Sequence, residues 1–456
     1  MNSNNRRQFS GRAAALGALG SWATLASTLA STLASTSARA APLAGSDYRA
    51  LVCVFLYGGN DGNNMVVPID VSGYAAYAKA RGLAAAGGLT LQQSSLALLN
   101  GGAVGLHGAL APLAAIWNQG HLAIQANVGS LAKPLTKAQF NAAGALVPSN
   151  LFSHSDQQMQ WQTAFSGGVM NTGWAGHVAD LQAKSLVPMV LSVSGNNVFM
   201  NGVNTDGLAV SSNGGFAIKG FGNNPGNNPL FKLYTDLLQV PVANAEQRAA
   251  TDVLQQSLKA SSVLNTALTS PGSTAALFAG QNSSLAQQLQ AVAKMIEARA
   301  SLGVTRQIFF VSMGGFDTHN DQINQQNNLF GQLGPALKSF YDATVQLGVS
   351  QGVTTFTGSD FARTLQPASG AGTDHAWGNH QFVVGGAVKS GLYGSMPQLV
   401  LSGPDDVSSE GRWLPTTSVD QMSATLASWF GVGAADLPAV FPHLSNFGTK
   451  NMGYFG

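Results

Sequence analysis

Three of the eight histidines in this 456-residue chain fall between His319 and His380, each near an aspartate in a glycine-rich turn. Imidazole and carboxylate together suit hard to borderline divalent ions such as zinc, manganese, magnesium or calcium. In Met313-Gly314-Gly315-Phe316-Asp317-Thr318-His319-Asn320-Asp321, Asp317 and His319 are two apart, so an extended backbone points both side chains the same way. Thr355-Phe356-Thr357-Gly358-Ser359-Asp360-Phe361 ends an apolar run on a carboxylate. Asp374, His375 and His380 lie within the seven residues Asp374-His375-Ala376-Trp377-Gly378-Asn379-His380. Asp61 follows another apolar run in Tyr57-Gly58-Gly59-Asn60-Asp61-Gly62. Each motif also has a plainer reading, with Asp61 as a turn former, Asp317 as a helix cap and His319 as a surface histidine. A hydroxyl nucleophile is offered by Ser153 in Phe152-Ser153-His154-Ser155-Asp156, with His154 beside it, where a helix start favours an alkoxide or an anionic ester. The competing role for that serine is helix N-cap. His107, His121, His177 and His443 lack a comparable acid-rich turn and read as structural.

These groups are useful only if the chain brings them together. Apolar runs predict strands over Leu51–Tyr57, Leu122–Val128, Val187–Val193, Gln307–Met313, Val353–Thr357, Gln381–Gly385 and Gln398–Ser402. Several are continuously apolar, as in strands covered on both faces. Helical patterns cover Gly108–Asn118, Ser155–Phe165, Thr172–Gln182, Asn244–Leu268, Ser284–Ser301, Gln325–Leu347 and Ser418–Phe430. Such alternation predicts a layered α/β fold with a mostly parallel sheet and helices on both faces. Ligands bind beyond the carboxyl ends of such strands, so Asp61, Asp317 and Asp360 can converge there despite their separation. The Gly-, Asn- and Pro-rich stretch from 195 to 230 interrupts the order and opens an inserted, partly helical cap over 195–283.

Only 9% of the residues are charged, and no cluster of lysine and arginine appears, which excludes a nucleic-acid binder. Residues 1–40 read as a twin-arginine signal peptide, with Arg6 and Arg7, an alanine- and leucine-rich stretch, and a small-residue site ending at Ala40. Its Ser-Thr-Leu-Ala repeats dilute it below the apolarity of a stable membrane span; retention as an N-terminal anchor is the alternative. The expected partner is the twin-arginine export machinery, and the expected location periplasmic or secreted. Residues 41–456 then form a single domain with 18 basic and 20 acidic residues. Cys53 is the only cysteine, so no internal disulfide forms, and its apolar run makes it a small core residue.

The motifs Phe55-Leu56-Tyr57-Gly58-Gly59-Asn60-Asp61-Gly62, Gly315-Phe316-Asp317-Thr318-His319, Ser359-Asp360-Phe361-Ala362-Arg363-Thr364, Gly372 to His380 and Gly411-Arg412-Trp413-Leu414-Pro415 together resemble the bacterial exported family called domain of unknown function 1501. That family is similar to the alkaline phosphatase and sulfatase superfamily. The resemblance implies a three-layer alkaline-phosphatase-like fold, a metal site at strand ends and hydrolysis of phosphate or sulfate esters. Carried over by motif, it makes Asp61, Asp317, Asp360 and His375 or His380 metal ligands. The sequence departs from the superfamily at two places. Asp321 stands where a histidine follows the acid of the later pair, and Phe361 where one follows the acid of the Thr-x-Ser turn. The number of ions is left open, and a standard sulfatase is disfavoured because Cys-x-Pro-x-Arg and Ser-x-Pro-x-Arg segments are absent.

The sequence thus predicts an exported metal-assisted hydrolase of a small anionic ester. Asp61, Asp317, His319, Asp360, Asp374, His375 and His380 are the candidate ligands or their partners, and Ser153 with His154 the attacking pair. Arg363 either stabilises transition-state charge or forms a structural salt bridge. The alternative is a catalytically silent binding or assembly protein on the same fold.

Overall fold

β1 (Arg49–Leu56) is buried along all but its first residue, which requires cover on both faces. In this computed structural model the described residues are 47–456 except 84–85, 143–146, 169, 184, 213–227 and 243. The signal segment 1–40 and much of the 195–230 stretch lie outside them. Three short strands after β1, namely β2 (Val66–Pro68), β3 (Ala97–Leu98) and β4 (Val104–Leu106), form a small antiparallel sheet. The remaining strands join β1 in the main sheet. They are β5 (Leu122–Gly129), β6 (Val190–Ser192), β7 (Leu208–Ala209), β8 (Arg306–Met313), β9 (Val353–Ser359), β10 (Asn379–Gly385), β11 (Gly391–Tyr393) and β12 (Thr417–Ser418).

Among the described residues the main sheet runs β11-β5-β10-β9-β1-β8-β6-β7, with β12 also on β5. β1 pairs parallel with both β8 and β9, and β6 parallel with both β8 and β7. β10 alone among them runs antiparallel, between β9 and β5. In register, Leu56 faces Met313 on one side and Ser359 on the other, so three strands end on one line. The reversed β10 starts at that same edge, which brings the residues just before Asn379 to where the other strands finish.

Side-chain alternation divides β1 between two layers. Leu51, Cys53 and Phe55 join Trp161, Trp174, Phe199, Phe310, Phe356 and Met422 in one buried cluster under the helices His154–Thr163, Trp174–Asp180 and Val419–Phe430. The helices Ser284–Glu297 and Gln322–Gln346 pack against each other, and the former also against β8. The outcome is the expected α/β fold, a mostly parallel central sheet with helices on both faces. Among the described residues no helix is long and apolar enough to cross a membrane.

Contacts divide the chain into two compact units, one of residues 44–214 and 267–456 and a smaller one containing 215–266. The described residues of the smaller unit include the helix Pro229–Leu238. That helix and the helix Val71–Arg81 were not anticipated from sequence. The strand expected at Gln398–Ser402 is instead a turn. Asp405 accepts from the amide of Gln398 and Asp406 from that of Ser402, so carboxylates take up donors that a ladder would need.

Candidate functional site

The loops beyond the carboxyl ends of β1, β8 and β9 meet because glycine lets them. Gly58 has φ +115°, and a Cβ there would lie 2.4 Å from the amide nitrogen of Asp317. Its own amide donates to Asp360 Oδ2 at 3.2 Å, so Gly58 ties all three loops together.

Asp317 is the hub. Its Oδ1 lies 2.7 Å from Arg363 Nη1, 3.0 Å from His319 Nε2 and 3.2 Å from His375 Nε2, and its Oδ2 lies 3.5 Å from His154 Nε2. Burial pushes this carboxyl up, but the hydrogen bond and charge of Arg363, with His319 and His154, outweigh it and hold the group below the usual carboxylate range. His319 and His375 meet at 3.1 Å between their Nε2 atoms, and His319 Nδ1 lies 3.4 Å from Asp374 Oδ1.

Two of the imidazoles are anchored from behind. His154, the first residue of its helix, has Nδ1 2.7 Å from Asp360 Oδ2. His375 Nδ1 lies 2.8 Å from the carbonyl oxygen of Phe152. A carboxylate and a carbonyl only accept, so each Nδ1 carries a hydrogen and each ring turns its Nε2 toward Asp317. Burial also pushes His375 below its ordinary value, which favours the neutral ring. The Phe152 carbonyl is placed by a costly backbone, with φ +72° at Phe152 and +50° at Asn150.

Two imidazole nitrogens and a carboxylate turned toward one another make a donor set that fits a divalent cation. His154, Asp317 and His375 offer ligand atoms that all lie within 4.8 Å of one another. A carboxylate or carbonyl holding Nδ1 is the usual outer support of an imidazole that ligates a metal through Nε2.

Asp360 therefore stands behind His154, accepting also from Gln158 Nε2 at 2.8 Å. Burial raises its carboxyl above the usual range against those hydrogen bonds, and its buried Oδ1 has no partner among the described residues. Asp374 sits on the outer side, beside His319.

Two candidate ligands are engaged elsewhere, and Arg363 and Ser153 take their alternative places, a salt bridge and the N-cap position. Asp61 is removed from the ligand set, because its fully buried carboxylate binds Arg81 Nη2 at 2.5 Å and accepts from Gln322 Nε2 at 2.6 Å and the Asn63 amide at 3.0 Å. His380 is removed too, since it is buried and its Nδ1 accepts from the Asn127 amide at 3.1 Å. Arg363 is a structural partner, 0% exposed and spent on Asp317, the Gly58 carbonyl and Thr373. Ser153 occupies the N-cap position, but its hydroxyl bonds Asp156 Oδ2 at 2.5 Å and not an imidazole, which leaves His154 to the cluster.

Sequence reasoning missed Gln158, Arg81, Gln322 and the Phe152 carbonyl. Gln158 had a signal, lying four residues after His154 on one helical face. The others had none, because each acts through a contact remote in sequence.

His380 carries a pH signature. Burial pushes it down to about 4, so the fold favours its neutral ring. That contribution is present above the ordinary value near 6.5 and lost as pH falls toward 4. His380→Gln is expected to flatten this acid limb by roughly 2–3 kcal/mol between pH 7 and 4.5. Urea unfolding at both pH values checks it, and parallel losses in parent and variant would refute it.

A family model described as "Protein of unknown function (DUF1501)" matches residues 48–434. No curated protein matches the chain. Among solved structures, the PsFucS1 sulfatase from Pseudoalteromonas sp. is similar at 10% identity, covering 90% of this chain and 72% of that one, with a TM-score of 0.33. Ps i-CgsB in complex with k-i-k-neocarrahexaose is similar at 9% identity, covering 87% and 77%, with a TM-score of 0.30.

Proposed function

Since the chain belongs to the DUF1501 family, whose description states no activity, we propose from the site itself that it is an exported, divalent-metal-dependent hydrolase of small phosphate, sulfate or related anionic esters. What carries the reading is the pair of imidazoles, His154 and His375, anchored at Nδ1 and aimed with Nε2 at one carboxylate, Asp317. These three residues would hold the ion, with His319 in reach. When bound, a divalent cation supplies Lewis-acid polarisation of an ester oxygen.

The chain's own residues supply position and proton handling. Asp360 and the Phe152 carbonyl keep both rings in one tautomer. Arg363 fixes the orientation of Asp317 from the buried side. The side chains of His319 and Asp374, 43% and 47% exposed, lie 3.4 Å apart between Nδ1 and Oδ1 on the open side of the cluster. Because Ser153 is committed to Asp156, attack on the ester falls to water. The same observation favours the second reading, a metal-binding or assembly protein without turnover. Localisation to the periplasm or outside the cell rests on the paired arginines and the small-residue site near residue 40.

Aryl phosphate and aryl sulfate turnover by the mature chain, with and without chelator, tests the proposal. Chelator-sensitive release is expected. Bound metal with no turnover across the ester panel would leave the second reading.

A further inference from the structure

The guanidinium that the sequence offered for anion recognition, Arg363, is sealed in the interior. Another, Arg412, stands beside the site with 22% of its side chain exposed. Its Nε donates to the backbone carbonyl of His375 at 2.8 Å, and its guanidinium carbon lies 5.3 Å from the ring centroid of Phe152. It is therefore next to both ends of the His375 anchor, the residue itself and the one whose carbonyl holds its imidazole.

The position of Arg412 is set in advance. Buried Asp406 accepts from the amides of Ser402, Ser408, Gly411 and Arg412 at 2.9–3.0 Å, which fixes the turn that carries the arginine. The next residue, Trp413, is buried and donates from Nε1 to Asn63 Oδ1 at 2.8 Å. A rigid backbone below a partly exposed guanidinium suits recognition, since little order remains to be gained on binding. Its anionic partner is Glu410, two residues away and 45% exposed, which accepts from Nη1. Nothing buried commits that carboxylate to the guanidinium.

Resting on the hydrolase reading, we propose that Arg412 binds the anionic group of the substrate, and that Glu410 occupies its place in the free protein. The chemistry recognised is an oxyanion presenting two oxygens to the guanidinium fork, as a phosphate or sulfate does.

Calorimetric titration of the mature chain with inorganic phosphate at fixed ionic strength tests this, with bound metal measured on the same samples. Arg412→Gln is expected to weaken phosphate roughly 10-fold or more with metal content unchanged. Arg412→Lys, which keeps the charge and loses the fork, should recover part of the loss. Glu410→Gln should tighten phosphate roughly 2- to 5-fold by removing the competing charge. Phosphate affinity indifferent to all three changes, or loss of metal in Arg412→Gln, would overturn the proposal, the latter by showing that the arginine only steadies His375. A parent protein without metal whose phosphate affinity still follows Arg412 supports this anion site and defeats the hydrolase reading, so the two failures are separable.

Discussion

Asp317→Ala is expected to leave the protein without stoichiometric divalent metal, while the parent purified without chelator retains it. Asp317 is the one carboxylate that both anchored imidazoles face. Its loss removes the negative charge that balances a cation and breaks the hydrogen bond to Arg363. That buried guanidinium then adds an uncompensated positive charge beside the site. His375→Ala should lose the ion for a simpler reason, the missing nitrogen. Asp360→Asn should act more mildly and weaken metal affinity about 10- to 100-fold, because it disturbs the support behind His154 and removes no ligand. Metal analysis of the purified variants, followed by titration of the stripped proteins with zinc or manganese, gives the order. Equal metal content in the parent and Asp317→Ala would remove the cation from the site, and Asp360→Asn weaker than His375→Ala would invert the proposed layers.

The second large effect concerns stability. Asp61→Ala should cost about 3–5 kcal/mol, because it strands Arg81 as an unpaired charge in the interior. Arg81 and Asp61 both have wholly buried side chains. Arg81 Nε and Nη1 have no hydrogen-bond partner, so the carboxylate is the guanidinium's compensation among the described residues. Replacing both members by apolar residues of similar volume, Asp61→Leu with Arg81→Met, should recover much of the loss, since desolvation of the pair offsets most of its attraction. Denaturant unfolding of both single variants and the double variant measures the coupling. An Asp61→Ala loss below about 1 kcal/mol would mean that water reaches Arg81.

These two aspartates show how far motif reading extends. Asp61 and Asp317 both follow an apolar run and a glycine-rich turn, and both were candidate ligands. The separation comes from Arg81, twenty residues on, at the end of a helix that the hydrophobic pattern did not mark. Likewise Asp374, His375 and His380 form one sequence cluster, but the last lies inside β10 while the first two lie in the segment before it. His380 is therefore enclosed by the sheet and His375 is free to reach Asp317.

The sequence by itself determined the long core strands and their layering, because runs such as Leu51–Leu56 and Phe309–Met313 are largely apolar and have to be covered on both sides. It also determined which short segments carry ligand-type side chains at strand ends. Only the tertiary structure decided which of those side chains meet. That depended on strand order, on the reversal of β10, and on the remote groups that claim each one: Arg81 for Asp61, the Asn127 amide for His380, Asp360 for His154 and the Phe152 carbonyl for His375. The physical reason is that hydrophobic periodicity is a local property of the chain. The partner of a buried polar group is set by whatever non-local neighbour satisfies its hydrogen bonds and charge.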